Sequence, residues 1–409
     1  MKEYKQEFTE ILSVIISLES GPISINAKDI QSVYFIEDIF SYCMKGKLTF
    51  LDMYGLMEHG PLTGNEQITI IYGEDEDRQL IFDIWKVSKV QQTSPTDMTA
   101  ENLMEIYFVD TVFELYTMKR YSKSFTGLKK TTDIIKEILK NIIGHKNKSI
   151  NIEDSTTDIT NFIIPYWNLM ESISWLLKRS RGKDSNTSGY VCYNSTEEGF
   201  RTNIYSLNTL FGNKNYLEDE IYTFEGDQAK KNKVLNWWIS GLDKHSTKVI
   251  RGGKWKGYDS ATKSFLNLEY TYEDGIADSV LLGKKSLYND ISDINTVNRI
   301  MGEKSLESLQ DTVYSEWVRR YCMQQVVNVY VRGHERRYAG QQIKIQWPST
   351  ERHQIYNKML EGKYLVKSIT HMFSGGSNFP YRQRLILLKN AYSDIDMVGL
   401  LKATKTNIL

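Results

Sequence analysis

Thr63-Gly-Asn-Glu-Gln-Ile-Thr-Ile-Ile-Tyr-Gly73 and Ala339-Gly-Gln-Gln-Ile-Lys-Ile-Gln-Trp-Pro348 decide the reading of this 409-residue chain. Each runs from Gly to Gln, then through an alternating Ile-x-Ile stretch to an aromatic residue and a breaker. Period-two alternation between turn residues marks a half-buried strand. The segments that follow also match. Ile84-Trp-Lys-Val-Ser-Lys-Val90 precedes a Ser/Thr/Pro turn and a strand over 103–109. Tyr364-Leu-Val-Lys-Ser-Ile-Thr370 precedes a Gly/Ser/Asn turn and a strand over 384–388. Ile68 and Ile343 stand 343 − 68 = 275 residues apart, and Val87 and Val366 stand 366 − 87 = 279 apart. Two blocks in the same order at a nearly constant offset point to a duplicated β module. Three copies of such a chain would present six similar modules, which lets a trimer meet a sixfold ring.

Outward from these blocks, 11–115 reads as a set of short strands: the Leu12, Val14, Ile16, Leu18 alternation, Ile23 with Ile25, 46–53, 66–72, 80–90 and 103–109. The period then changes. Ile134, Ile135, Ile138, Leu139 and Ile142 fall at helical spacing over 131–144, with Gly144 at the C-cap position. After Pro165, Asn168 and Glu171 have the spacing of a capping box ahead of the stripe Leu169, Ile173, Leu176, Leu177. A hairpin is expected from 190–193 and 201–205, strands at 233–239 and 265–272, and a turn-rich run at 251–259. The stretch 286–308 reads as an exposed polar excursion, followed by a helix over 313–325. Strands follow at 326–332, 342–347, 363–370 and 382–388, and the last residues, 393–409, read as a short helix or frayed tail.

Composition bounds the function. Lys+Arg and Asp+Glu each number 51, so the net charge is zero, against a nucleic-acid binder that needs a basic surplus. Tyr (26) and Trp (8) are plentiful and Pro is scarce (6), which favours sheet and large side chains for interfaces. Cys43, Cys192 and Cys322 are isolated, which argues against a disulfide framework or a zinc site and for buried or half-buried thiols. No run of 18 apolar residues occurs, and residues 1–10 do not read as a signal peptide.

No chemistry-bearing motif stands out. His59, His145, His245, His334, His353 and His371 form no HxxxH or HExxH pattern, and His371 reads as a packed or half-exposed imidazole. Neither a GxSxG elbow nor a Walker loop is present, and Arg251-Gly-Gly-Lys-Trp-Lys-Gly257 reads as a turn more readily than an anion cradle. The acidic clusters Glu74 to Asp77 and Glu197-Glu198 read as solvated hairpin tips. Arg319-Arg320 and Arg336-Arg337, with Arg332, His334 and Lys344, read as a solvated face, or alternatively as one positive docking patch. The sequence therefore assigns no catalytic, metal or cofactor residue and no cofactor, and leaves the interface residues unknown.

Several blocks together carry a resemblance. They are Tyr338 to Ser349, Leu360-Glu-Gly-Lys-Tyr-Leu-Val-Lys-Ser-Ile-Thr-His-Met-Phe373, Tyr381 to Leu388 with Lys389-Asn-Ala-Tyr392, Asn161-Phe-Ile-Ile-Pro-Tyr-Trp-Asn168 running on to Leu176, Tyr258 to Phe265 and Glu269-Tyr-Thr-Tyr272. The chain resembles the baseplate hub proteins of contractile-tailed phages, related to the hub part of VgrG. The resemblance implies an α+β, β-rich fold of two tube-protein-like β-barrels with an inserted α/β region. The first barrel is expected over 1–115, the insertion over 116–210 and 245–312, the second barrel over 211–244 and 313–392, and a tail over 393–409. It implies a non-enzymatic homotrimer in the virion tail, assembled in the host cytoplasm. That ring would join a hexameric tail tube to a trimeric spike, with tape-measure and other baseplate proteins as further partners. DNA would pass through its channel without sequence-specific binding, no membrane would be involved, and any spike would be a separate chain. Two rival classes stay open: a tail-borne cell-wall hydrolase, and a carbohydrate- or receptor-binding β module using exposed Trp and Tyr.

Overall fold

Alternation of apolar and polar residues builds the first module from seven strands: β1 (Ile11–Leu18), β2 (Gly21–Ile25), β3 (Ile30–Asp38), β4 (Lys45–Leu51), β5 (Gln67–Tyr72), β6 (Gln79–Gln92) and β7 (Glu101–Asp110). The computed structural model describes residues 11–53, 55–56, 62, 64–73, 79–92, 101–142, 149–182, 189–197, 199–212, 221–224, 232–240, 252–259, 262–271, 299–301, 306–323, 325–349, 360–374 and 381–389. One face of the module buries Val14, Ile16, Val33, Phe35, Leu48, Phe50, Ile68, Ile70, Phe82, Met104, Ile106 and Phe108 in a single cluster. Each such side chain taken from water stabilises the fold by about 1.5–3 kcal/mol before entropy is counted.

The inserted region follows: α1 (Phe113–Thr117), β8 (Arg120–Lys130), α2 (Thr131–Glu137), β9 (Ser149–Ile152), β10 (Asp158–Asn168), α3 (Leu169–Lys178), β11 (Tyr190–Ser195), β12 (Arg201–Ser206) and α4 (Leu207–Gly212). β8 and β10 pair antiparallel, and β11, β12 and β9 form a small mixed sheet. α3 begins as its sequence dictates. The Asn168 side chain accepts from the Glu171 N–H (2.7 Å), and the Glu171 carboxylate accepts from the Asn168 N–H (3.0 Å).

The chain then lays down β13 (Ile221–Tyr222), β14 (Val234–Ser240), β15 (Gly252–Asp259), β16 (Ser264–Thr271), β17 (Arg299–Met301), α5 (Leu306–Tyr321), β18 (Gln325–Arg332), β19 (Gln342–Ile345), β20 (Gly362–Ser374) and β21 (Arg382–Lys389). Thirteen strands of the two modules join in one sheet, ordered β14-β18-β21-β20-β3-β4-β7-β6-β5-β1-β2, with β19 beside β20 and β13 beside β19. The remaining sheet, β16-β15-β17, packs with α4 and α5 against Leu365 and Leu388 of the second module.

The duplication covers five strands of each module, whereas the next strand differs, β1 running antiparallel to β5 and β13 parallel to β19. β5-β6-β7 and β19-β20-β21 are both antiparallel meanders, and β4 flanks β7 as β18 flanks β21. β3 flanks β4 as β14 flanks β18. The irregularities repeat too. β6 bulges between Ile84 and Lys86 as β20 does between Val366 and Ser368. β3 bulges between Ile30 and Ser32 as β14 does between Val234 and Asn236. The Ile84 N–H donates to the Glu66 carbonyl (3.1 Å), and the Val366 N–H donates to that of Gln341 (2.8 Å).

Ile68 therefore corresponds to Ile343, as the sequence indicates. Val366, however, corresponds to Ile84 rather than Val87, an offset of 366 − 84 = 282. Both strands carry the same bulge, and the change of offset is 282 − 275 = 7 residues of extra connection ahead of β20, which strand composition alone does not count.

Other expectations are corrected. The 131–144 helix ends at Glu137 and continues as one π turn, Ile138–Ile142, and Gly144 lies outside the described residues. The Gly-rich run expected as a turn is β15, and β17, parallel to it, falls within the run expected as a polar excursion, of which 286–298 and 302–305 lie outside the described residues. α5 starts at Leu306 and ends at Tyr321, not 313–325, because Gln325 already belongs to β18. β3, β8, β9 and β10 were not expected from the sequence. Residues 393–409 lie outside the described residues.

Gly46 faces Phe108 at a position held by Val327 in the second module, where Leu387 replaces Phe108. A Cβ on Gly46 would meet the Phe108 ring and the Tyr34 carbonyl oxygen. Gly46→Ala is expected to destabilise the protein by about 1–3 kcal/mol through overpacking, read as a lower urea midpoint at fixed protein concentration.

Candidate functional site: the seam between the modules

β3 belongs to the first module by its pairing with β4, yet its other edge is covered by β20 of the second. Ser368 to Ser374 lie opposite Asp38 to Ser32, His371 facing Phe35. The Ile39 N–H extends the ladder to the Lys367 carbonyl at 2.9 Å. Two aromatic side chains of the second module, Phe373 and Tyr381, enter the core of the first. Phe373 lies 5.7 Å from Tyr72 edge-on and 4.2 Å from Tyr381 in a stack, and His371 stacks on Phe35 at 4.4 Å.

A chain of buried polar groups runs through this apolar seam. Glu37, His371 and Gln383 are each 0% exposed. The Glu37 carboxylate accepts from His371 Nε2 (2.7 Å), Thr196 Oγ1 (2.8 Å), and the N–H groups of Thr196 and Ala339 (3.1 Å each). Tyr381 Oη lies 2.6 Å from His371 Nδ1 and accepts from Gln383 Nε2 at 2.8 Å. Gln383 also donates to the His334 carbonyl, and its Oε1 accepts from Arg337 Nη1 (2.8 Å). Arg337 is bonded in turn to Tyr222 Oη (2.5 Å). A neutral His371 satisfies every atom: Nε2–H donates to Glu37, and Nδ1 accepts from the Tyr381 hydroxyl. Burial pushes the Tyr381 phenol well above its ordinary range, which keeps it a donor.

Carboxylate, imidazole and phenol in line resemble a proton relay, but this line is enclosed on all sides and ends on a glutamine. It ties the first module (Glu37), the inserted region (Thr196) and the second module (Ala339, His371, Tyr381, Gln383) together at one point. Each bond fixes the register of the seam as a buried network does when fully paired.

The residues singled out from the sequence are dispersed. His371 is the packed imidazole expected, and Cys192 and Cys322 are buried thiols pushed up to about 12 by burial, with Cys43 half-buried. The basic residues lie at different depths, and the Arg320 side chain lies outside the described residues. Arg337 is interior, Arg319 donates to the Tyr190 carbonyl (2.6 Å), and His334 is buried with Nδ1 accepting from the Arg336 N–H. Adjacency in sequence carries no information on depth. Glu197 pairs with Arg201 at 3.6 Å and lines a crevice of about 30 Å³ with Tyr193, Tyr205 and Tyr338, room for a water or two. His59, His145, His245, His353, Glu198 and the Glu74 to Asp77 run lie outside the described residues. Among the described residues, no cluster of three or more His, Cys, Asp or Glu side chains is placed to hold a metal, and no helix is long and apolar enough to cross a membrane. Sequence reasoning missed Glu37, whose one signal is an acidic residue closing the β-rich run Val33-Tyr-Phe-Ile36.

The arrangement defines a class of fold found in phage tails. The chain is similar to the tail protein from Neisseria meningitidis MC58, with a TM-score of 0.59 at 8% identity over 94% of this chain and 97% of that one. It is similar to the prophage MuSo2 43 kDa tail protein from Shewanella oneidensis, with a TM-score of 0.56 at 10% identity over 92% and 98%. It also matches a chain of the Francisella PdpA-VgrG complex, with a TM-score of 0.53 at 11% identity, covering 95% of this chain and 54% of that one. No family model matches the sequence, and no curated protein does. The protein shares the fold of these tail proteins across nearly its whole length.

Glu37→Gln places an amide N–H among four donors. It is expected to cost about 3 kcal/mol, because hydrogen bonds to a buried charged group are worth about 1.5–3 kcal/mol and one donor is left facing another. A urea midpoint within about 1 kcal/mol of the parent would show that the network does not hold the seam.

Proposed function

We propose that this chain is a structural hub subunit of a phage-type tail. Three copies form a pseudo-sixfold ring that seats a hexameric tail tube on one side and a trimeric spike on the other. The observation that carries the reading is the internal repeat. Two modules match in strand order and in the positions of their bulges, and lie side by side on one sheet. A single module per chain cannot reconcile threefold with sixfold neighbours; two quasi-equivalent modules can.

In this reading the barrels comprise 1–115 and 211–244 with 313–392, and the region between them is an outward insertion. The sheet face opposite the core lines the channel. Its charges are held in place: Lys47 bonds to Glu105, and Arg384 donates to Asn328 at 3.0 Å. A lining whose side chains are bonded to one another lets DNA pass without holding it. The subunit works in the virion tail after assembly in the host cytoplasm, contacts the tube, spike and tape-measure proteins, and carries out no reaction of its own.

Native mass spectrometry of the purified chain is expected to give three times the chain mass at micromolar concentration, and a cell-wall zymogram is expected to stay blank. A stable monomer at that concentration contradicts the ring, and a cleared zymogram contradicts the purely structural role.

A further inference from the structure

The repeat assigns partners to two strand edges that lack them within the described residues. β20 has one edge on β21. Its other edge is shared by β19, over Gly362 to Leu365, and β3, over Ser368 to Ser374. Its counterpart β6 has one edge on β7 and carries β5 on the other over Gln79 to Asp83. From Lys86 to Gln92 that second edge of β6 has no strand partner among the described residues. The counterpart of β3 is β14, which ends the thirteen-stranded sheet with β18 on one side only.

Side-chain burial follows the same division. Val33 and Phe35 of the covered strand are 0% exposed. Their counterparts on β14, Trp237 and Ile239, are 40% and 43% exposed, and Leu235 and Trp238 are 40% and 37%. Four large apolar residues on an open edge are an association site unless something covers them. On the β6 side, Trp85 at the bulge is 47% exposed.

We infer that β14 of one copy pairs antiparallel with the Lys86 to Gln92 edge of β6 in the next copy, repeating between chains the β3–β20 seam within the chain. The repeat fixes the register. Carried to its counterparts, the pair Ile36 and Thr370 becomes Ser240 opposite Ser88. Tyr34 and Met372 become Trp238 opposite Val90, and Ser32 and Ser374 become Asn236 opposite Gln92. The contact is head-to-tail: β14 on one side of the chain never meets β14 of another. Such a contact closes only as a ring or runs on as a filament. Three copies would close it with alternating seams. The seam inside each chain carries the Glu37–His371–Tyr381 network, while the seam between chains has Lys89 where the first has His371, and is apolar around Trp237 and Trp238.

This inference rests on the ring reading, and one experiment separates them. Ser88→Cys/Ser240→Cys is oxidised and run on a non-reducing gel beside native mass spectrometry. A register control, Gln92→Cys/Ser240→Cys, displaces the pair by four residues. A covalent trimer from the first variant, at least tenfold above the control and absent from either single variant, is the expected result. A native trimer that fails to cross-link, or cross-links equally in the control, overturns the strand pairing and leaves the ring. Covalent species beyond a trimer retain the pairing and overturn threefold closure. A monomer without cross-links overturns both.

Discussion

An uncovered strand edge is the constraint on which this architecture turns. A strand with one bare edge offers unpaired N–H and C=O groups to any neighbour, and a protein must cover it. Within the chain the problem is solved at β3, which the second module covers with β20 along seven residue pairs. The two modules thereby share a sheet and, through Phe373 and Tyr381, a core. The same geometry recurs at β14, whose second edge has no strand partner among the described residues, and the proposed ring covers it with another copy.

The buried Glu37 network gives the intramolecular seam what an apolar contact lacks, a single permitted register. Glu37 accepts four hydrogen bonds from two other parts of the chain, the inserted region and the second module. A slip of one residue would turn His371 to the other face of β20 and leave a carboxylate uncompensated in the interior. The inserted region contributes Thr196 to that carboxylate, so the insertion takes part in holding the modules together.

Much of this was legible in the sequence, and the misses have physical causes. The Asn168–Glu171 capping box placed the start of α3, because capping depends on residues three apart. The repeat was visible because Ile-x-Ile alternation survives divergence. Its register was misread by 282 − 279 = 3 residues in β6 because strands of similar composition align at more than one offset. β15 passed for a turn because Gly252, Gly253 and Gly257 dominate its composition, although Gly257 packs against Leu266 and Leu309. β3 went unseen, and Glu37 with it. A carboxylate on an inward position of a strand contradicts the pattern by which strands are recognised, and only the partners supplied from far along the chain explain it. His371, read as a packed imidazole, was correctly placed, but its acid partner is 371 − 37 = 334 residues away.

Imaging tests the quasi-sixfold principle most directly. Electron-microscopic class averages of the purified protein viewed along the ring axis should show six similar lobes around a central opening, with the inserted regions adding a threefold modulation. Three lobes, or a particle with no ring, would contradict the claim that two matched modules let three chains present six equivalent faces.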